Sequence, residues 1–463
     1  METDLIIIGS GPGGYRAAAY AASKGLRVVI AERGELGGTC LNVGCIPTKT
    51  YARNAEIMET VRSAGIYGLD GLSHGFDFTK VVDRKDSVVE QLRSGIETLL
   101  AGPGITLVRG EAAFTGYRSV DGKELYSVAV GGREFYSSNV IIATGSSPKK
   151  LRMEACSDDF VCDSDWLLQT RELPRRLCIV GAGVIGMEFA SVFNSFGCEV
   201  TVVEYLKECL PALDSDVAKR LRKVLEKRGI TFYMQSAVKS ASDGTVVFER
   251  KGKEVCVEAD KVLLAVGRCP NTSGLNLEAV GVDYDAKGIH ADKDSFMTNR
   301  PGIYAIGDVN GRQMLAHAAT MQGIRAVKHI LSLSVNSEEG GMTDGICFDI
   351  MPAAIFTNPE AACVGPSEEA LKDSGMDFTV LKAHYRANGK ALAMNEPEGL
   401  IKLFAGKDGY IVGCHAFGAH AADIVQEISS LICCKTTVSQ LSDIIHIHPT
   451  LGEMIQEMAL NSK

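Results

Sequence analysis

The sequence predicts an α/β protein, and three observations carry that prediction. A short apolar run, Asp4 to Ile8, leads into Gly9-Ser10-Gly11-Pro12-Gly13-Gly14, an alanine-rich helical segment to about Lys24, and a β-branched run, Arg27 to Ala31, closing on Glu32. The same order returns in Leu177 to Val180, Gly181-Ala182-Gly183-Val184-Ile185-Gly186, an amphipathic helix to about Phe196, and Glu199 to Val203 closing on Glu204. From Ile346 onward strands interleave with helices and no such glycine pattern recurs. These patterns predict two Rossmann-like dinucleotide-binding domains and a C-terminal α+β domain.

Each element of the first βαβ unit has a chemical reason. Gly9 and Gly11 let the backbone turn and approach a pyrophosphate, and Gly14 lets the helix pack close to the strand. The helix N-terminus offers unpaired N–H groups to the anion, and Glu32 can accept from an adenosine ribose hydroxyl. Gly181, Gly183 and Gly186 repeat the arrangement. Glu204 stands where a reader of a 2′-phosphate would carry an arginine, so it favours the unphosphorylated nicotinamide cofactor. Tyr205 and Leu206 add no cation; the alternative is an ordinary acid at a strand end.

Residues 50–105 read as helical with polar faces, and 106–142 as short strands broken by Gly110, Gly116, Asp121-Gly122 and Gly131-Gly132, in the manner of hairpins. Val140 to Ala143, followed by Thr144-Gly145-Ser146-Ser147-Pro148, leaves the first nucleotide domain. Lys261 to Val266 ends in Gly267-Arg268-Cys269-Pro270-Asn271, a turn that closes the second. Gly302 to Val309 is an apolar strand ending in Gly307-Asp308, whose carboxylate can accept from a cofactor's polyol chain. A helix follows Met314-Leu315-Ala316-His317, and the polar stretch Ser334 to Gly345 reads as a linker. The expected domains are 1–148, 149–268, 269–344 and 345–463.

Composition narrows the class. The 463 residues carry a net charge of −9 with no basic tract, which argues against nucleic acid or an anionic membrane as partner. Fourteen irregularly spaced cysteines are unlike a secreted disulfide framework and point to a reducing compartment. The first strand follows Met1 directly, leaving no room for a leader, and no apolar run of about 20 residues occurs later. The expectation is a cytoplasmic enzyme, or a mature form whose leader has been removed.

Two stretches carry candidate chemistry. Gly37-Gly38-Thr39-Cys40-Leu41-Asn42-Val43-Gly44-Cys45-Ile46-Pro47-Thr48-Lys49 follows the first nucleotide strand. In a regular helix Cys40 and Cys45 would lie roughly 8 to 9 Å apart, beyond the roughly 7 Å reach of a disulfide. If they bridge, the segment is a distorted first turn, with Gly44 permitting unusual dihedrals and Pro47 pushing Ile46 from helical angles; the alternative is two buried apolar thiols. Near the C-terminus stands His446-Ile447-His448-Pro449-Thr450-Leu451-Gly452-Glu453. Thr450 and Glu453 fit a capping box, with the histidines alternating on a strand. Alternatively Glu453 orients His448 as a general base. No third ligand cluster accompanies His446 and His448, and no metal is expected.

Taken in order, the Cys40–Pro47 motif, the two fingerprints, Ala305-Ile306-Gly307-Asp308 and His448-Pro449-Thr450 with Glu453 resemble the flavin-dependent pyridine nucleotide disulfide oxidoreductases over essentially the whole chain. The resemblance implies FAD and NAD as cofactors and a homodimer with a C-terminal interface domain. It assigns Cys40 as the interchange thiol and Cys45 as the thiol stacked on the flavin. Lys49 and Glu188 fall beside the flavin, and Asp308 at its ribityl chain. Thr144, Gly145, Gly267 and Ala316 join the cofactor-binding residues. His448 with Glu453 is the catalytic dyad, delivered from the other subunit. The implied reaction oxidises dihydrolipoamide, on lipoyl domains or a lipoyl carrier protein, to lipoamide and passes hydride to NAD⁺. That places the chain beside the acyltransferase core of a 2-oxo acid dehydrogenase complex, or in glycine cleavage. A reductase of another disulfide, such as glutathione-type, and a docking subunit with a relic motif are the alternatives. The sequence departs from the family at Asn358, usually histidine, and at Cys363, usually bulkier. Cys433-Cys434 reads as helical core.

Overall fold

The computed structural model describes residues 1–71, 75–120, 123–334 and 344–462. The chain forms two compact units: Met1–Thr50, Val82–Lys149 and Arg268–Phe348 make the first, and Tyr51–Val81, Lys150–Gly267 and Asp349–Lys463 the second.

The first unit is built on a five-stranded parallel sheet in the order Ile303–Ala305, Val140–Ile142, Leu5–Ile8, Val28–Glu32, Ile105–Arg109. Leu5–Ile8, Val140–Ile142 and Ile303–Ala305 are buried along their whole length because both faces are covered, whereas the edge strand Ile105–Arg109 exposes Thr106 and Arg109. Leu5 and Ile7 pack on one side against Ala17, Ala18 and Ala326 of helices Pro12–Ser23 and Ala316–Ser334. Ile6 and Ile8 face Phe114, Tyr126 and Val128 of an antiparallel sheet, Ala112–Val120, Lys123–Val130 and Arg133–Ser137. The Gly131-Gly132 hairpin has φ of 54° and 79°, the two positive values a tight two-residue turn demands. Gly116 differs from its expected role as a break: it sits at a bulge inside the first strand, with φ 148°. The expected turn at Asp121-Gly122 lies outside the described residues. Most of the expected linker, 335–343, also lies outside them.

The expected turn after Gly267 is instead a short strand. Arg268–Pro270 pairs antiparallel with Ser146–Pro148, so the segment leaving the first unit and the one returning to it are laced together. Backbone groups that a bare turn would leave to solvent are thereby paired.

The second unit repeats the parallel design: Val161–Cys162, Lys261–Leu264, Arg176–Val180, Glu199–Val203, Thr231–Tyr233. Helix Val184–Phe196 covers one face, and its Phe193 and Phe196 close on Phe78 at ring distances of 6.3 and 5.9 Å. Residues 353–418 form an antiparallel sheet ordered Ala353–Ile355, Glu360–Val364, Ile411–Gly418, Leu400–Gly406, Phe378–His384. Helices Ala421–Cys433 and Glu453–Leu460 bury Ile424, Val425, Ile428, Met454 and Ile455 with it. Cys433 and Cys434 are exposed, contrary to the core reading. The buried stripe runs through Ile424 and Ile428, so positions 433 and 434 rotate off it as the helix ends.

Candidate active site

The sequence-predicted cofactor residues of the first unit gather at the carboxyl edge of its parallel sheet. Gly9 follows Leu5–Ile8, Thr144 and Gly145 follow Val140–Ile142, Glu32 ends Val28–Glu32, and Gly307-Asp308 follow Ile303–Ala305. A ligand of an open parallel sheet binds at that edge, where neighbouring strands are continued in opposite directions.

The two glycine loops share a division of labour. A Cβ at Gly9 would meet Ala143 O at 2.4 Å, and one at Gly14 would meet Gly9 O at 1.9 Å. At Gly181 and Gly186 the corresponding clashes are Ala265 O at 2.5 Å and Gly181 O at 2.0 Å. The chain itself therefore requires the outer glycines. Gly11 and Gly183 have nothing within 4 Å of their missing Cβ. Packing does not explain them; a phosphate approaching the backbone does. We expect Gly11→Ala to melt near the parent temperature yet bind FAD at least about 10-fold more weakly, since one charge-assisted hydrogen bond is worth roughly that much. Gly14→Ala should lower the melting temperature itself. Equal melting losses in both variants would refute the division.

The acids at the strand ends are fastened alike. Glu32 accepts at Oε2 from the Ser10 amide and hydroxyl, 2.8 and 2.7 Å, and at Oε1 from the Gly34 amide, 2.8 Å. Glu204 accepts from the Ala182 amide at 2.5 Å and the Leu206 amide at 2.6 Å. Each carboxylate is held by its own glycine loop and keeps lone pairs for a ribose hydroxyl. Both glycine loops, with their acids, thus fit a dinucleotide. Tyr205 is 75% exposed, and Gly267 is exposed.

Cys40 lies in a one-turn helix, Gly38–Asn42, and Cys45 opens the eighteen-residue helix Cys45–Arg62. Val43, at φ −141° and ψ 30°, breaks the chain between them. Gly44 is needed for closeness rather than for an unusual dihedral: a Cβ there would lie 2.8 Å from Thr39 O and 3.2 Å from the Cys40 Cα. Pro47 does not displace Ile46 from the helix. It falls in the first turn, where a missing N–H costs nothing. Asn42 ties the short helix down, donating to the Leu36 and Gly38 carbonyls, each at 2.9 Å, and accepting from Arg93.

Both cysteines are partly buried. The Cys40 thiol is pushed far up by its hydrogen bond to Cys45, with burial and the Cys45 charge adding to the shift, while Lys49 opposes them. Cys45 opens a helix, and the macrodipole at that N-terminus favours an anion.

The histidine stretch is irregular rather than a strand. His448 Nδ1 is 2.8 Å from Glu453 Oε1, and the His448 side chain is 82% exposed. Glu453 Oε2 accepts from the Thr450 amide at 2.8 Å, half of the expected capping box. The Thr450 hydroxyl supplies no second half, donating instead to Ile447 O at 2.7 Å. The Thr450 amide, and then His448, hold the Glu453 carboxyl below the usual range. His446 turns to a different acid, Glu427, at 2.9 Å. Among the described residues no group of three or more His, Cys, Asp or Glu could hold a metal, and no described helix is long and apolar enough to cross a membrane.

Elsewhere in the second unit, Glu188 is 4% exposed and accepts from the Phe356 amide at 2.9 Å. The Asn358 amide donates to Ser191 Oγ at 3.0 Å, and burial pushes the Cys363 thiol up to about 11. In the first unit, Ala316 opens helix Ala316–Ser334. Sequence reasoning missed Ser146 and Arg268, which hydrogen-bond beside Asp308. It also missed Asn271, whose side chain and backbone bind Thr144 and Gly145. The conspicuous Arg and Asn of the Gly267–Asn271 segment were the available signal.

Comparison with known proteins agrees with this geometry. The pyridine nucleotide-disulphide oxidoreductase model matches residues 3–323, and the dimerisation-domain model of the same family matches 351–459. The chain is 38% identical to a dihydrolipoyl dehydrogenase of Bacillus subtilis over 99% of its own length and 96% of that protein's. Among solved structures, LpdA from Mycobacterium tuberculosis is similar at a TM-score of 0.87 and 26% identity, covering 99% of this chain and 100% of that one. The HOCl-induced flavoprotein disulfide reductase RclA from Escherichia coli is similar at 0.85 and 27%, with the same coverage. The chain therefore belongs to the pyridine nucleotide-disulphide oxidoreductase family.

Proposed function

We infer that this protein is a homodimeric dihydrolipoyl dehydrogenase that uses FAD and NAD⁺. The observation that carries the reading is the Cys40–Cys45 pair, set across a helix break with Cys45 at the N-terminus of a long helix. The relative from Bacillus subtilis, similar end to end, gives the substrate class.

In its disulfide state, Cys40 is the sulfur a substrate thiolate attacks, because Cys45 is the better leaving thiolate. Attack forms a mixed disulfide at Cys40 and breaks the Cys40–Cys45 bond. His448, oriented by Glu453, takes the substrate's proton. The second substrate thiolate then displaces Cys40, and the cyclic disulfide, lipoamide, departs. Bound flavin supplies the path by which the electron pair left on the dithiol reaches NAD⁺ as hydride. Gly9, Gly11, Gly14, Glu32, Thr144, Gly145, Asp308 and Ala316 are assigned to FAD, with Lys49 and Glu188 on its flavin side. Gly181, Gly183, Gly186, Glu204 and Gly267 are assigned to NAD. The flavin domain is read as 1–148 completed by 269–344, with the nicotinamide domain at 149–268 and the interface domain at 345–463. We place the enzyme in the cytoplasm, working on lipoyl domains docked to the acyltransferase core of a 2-oxo acid dehydrogenase complex or on a lipoyl carrier protein.

The likeness to RclA favours one rival, reduction of a different disulfide. The purified protein should oxidise dihydrolipoamide with NAD⁺ and leave glutathione disulfide untouched with either nicotinamide. The opposite pattern would overturn the reading. Glu204 adds a sharper expectation: its fixed carboxylate accepts from a 2′-hydroxyl and repels a 2′-phosphate, so kcat/KM should favour NAD⁺ by at least about 100-fold, the scale of two or three kcal/mol of unfavourable charge pairing. Glu204→Gln should narrow that ratio. A parent ratio near one would remove Glu204 as selector.

A further inference from the structure

Asp308 does not stand alone at the edge of the first sheet. Its Oδ2 accepts from the Ser146 hydroxyl at 2.5 Å, and that hydroxyl oxygen accepts from Arg268 Nε at 2.7 Å. Arg268 Nη2 also donates to the Ser146 carbonyl at 2.7 Å. The direction of the chain is forced by the chemistry of its members. A guanidinium has donors only, and a serine hydroxyl has one proton. Once Arg268 donates to Ser146 Oγ, that single proton must go to another acceptor, which is Asp308. Ser146 is 3% exposed, so water does not compete readily for it. Among the described residues, Asp308 Oδ1 accepts no hydrogen bond. The relay joins three separate stretches of chain, and the antiparallel pairing of Arg268–Pro270 with Ser146–Pro148 brings the arginine beside the serine.

We propose that Ser146 and Arg268 are positioning residues for FAD: gripped by Arg268, the Ser146 hydroxyl fixes the rotamer of Asp308 so that Oδ1 is aimed at a hydroxyl of the ribityl chain. The proposal rests on the reading of Asp308 as a ribityl contact, which is tested separately below. Preorganisation of this kind raises affinity because the carboxylate does not lose rotamer freedom on binding.

The experiment uses holoenzyme. FAD release after dilution is followed by flavin fluorescence in the parent, Ser146→Ala, Ser146→Thr, Arg268→Met, Asp308→Ala and the double variant Ser146→Ala/Asp308→Ala. Loss of one hydrogen bond to a charged group is worth about 10- to 100-fold, so Ser146→Ala and Arg268→Met should each release FAD faster by at least the lower figure. Ser146→Thr, which keeps the hydroxyl, should release it at close to the parent rate. The double variant should release FAD no faster than Asp308→Ala. If Ser146→Ala accelerates release as much in the Asp308→Ala background as in the parent, or if Ser146→Thr is as fast as Ser146→Ala, the relay is wrong. If Asp308→Ala itself releases FAD at the parent rate, the ribityl reading fails, whatever the serine does.

Discussion

His448→Gln should lower dihydrolipoamide oxidation by about 100- to 10,000-fold, the usual worth of a positioned general base, while reduction of the bound flavin by NADH stays within a few-fold of the parent. The hydrogen bond to Glu453 engages Nδ1 at 2.8 Å, and a charged carboxylate there fixes the tautomer with Nε2 as the open acceptor. The Thr450 amide and His448 hold Glu453 below the ordinary carboxyl range, so the carboxylate remains an acceptor across the working pH range. Glu453→Gln, unable to stabilise the imidazolium formed when His448 takes the substrate's proton, should also lose activity. An unchanged hydride half-reaction would separate loss of the base from general damage. The 82% exposure of His448 suits delivery to a partner subunit's disulfide. Hybrids of a Cys45→Ser chain with a His448→Gln chain should regain one working site per dimer. Properly formed hybrids that stay as inactive as both parents would place each histidine on its own subunit's cysteines.

The sequence made the nucleotide framework legible because parallel strands buried on both faces leave uninterrupted apolar runs, and because steric rules leave only glycine at Gly9, Gly14, Gly181 and Gly186. The acids Glu32 and Glu204 could be located by spacing, but their clamps of backbone amides could not, since an amide carries no residue-specific signal. At the cysteines the expected distortion appears with a different cause. Val43 breaks the helix and Gly44 admits Thr39 O and Cys40, whereas Pro47 fits the new first turn without strain. Cys433 and Cys434 were misread because an apolar residue type says nothing about which side of a helix end it occupies. Tertiary networks were the least visible. Arg268 and Ser146 lie 122 positions apart, and only the fold makes them neighbours.

The largest stability effect should come from a network of that kind in the second unit. Lys402 lies in the otherwise apolar strand Leu400–Gly406, is 1% exposed, and pairs with Asp214, 0% exposed, at 2.6 and 2.7 Å. Glu368 Oε2 completes its shell at 2.8 Å. Asp214 also caps helix Ser215–Lys227, and its amide donates to His415 Nδ1 at 2.8 Å. Lys402→Met would leave a carboxylate buried without its cation, a change that typically costs about 3 to 5 kcal/mol. Holoenzyme at matched concentration should melt correspondingly lower. Lys402→Met/Asp214→Asn, which removes both charges and keeps an oxygen for the cap, should recover part of the loss. The pH dependence has a defined sign. Hydrogen bonds from Lys372 and Lys402 hold Glu368 down to about 2, so its contribution is complete above the unfolded carboxyl range and is lost as pH falls toward that value. Burial lowers His415, with Lys402 opposing its charge and Asp214 favouring it. Its neutral form accepts the Asp214 amide, so its contribution is present above the unfolded histidine value and begins to fade as pH falls below about 6.5. Acid should therefore destabilise the parent in two stages, the histidine stage first. In Lys402→Met the Glu368 stage should shrink, because one of the two lysines holding that carboxyl low is gone. A melting temperature for Lys402→Met within a degree of the parent at neutral pH would show that the buried pair is dispensable.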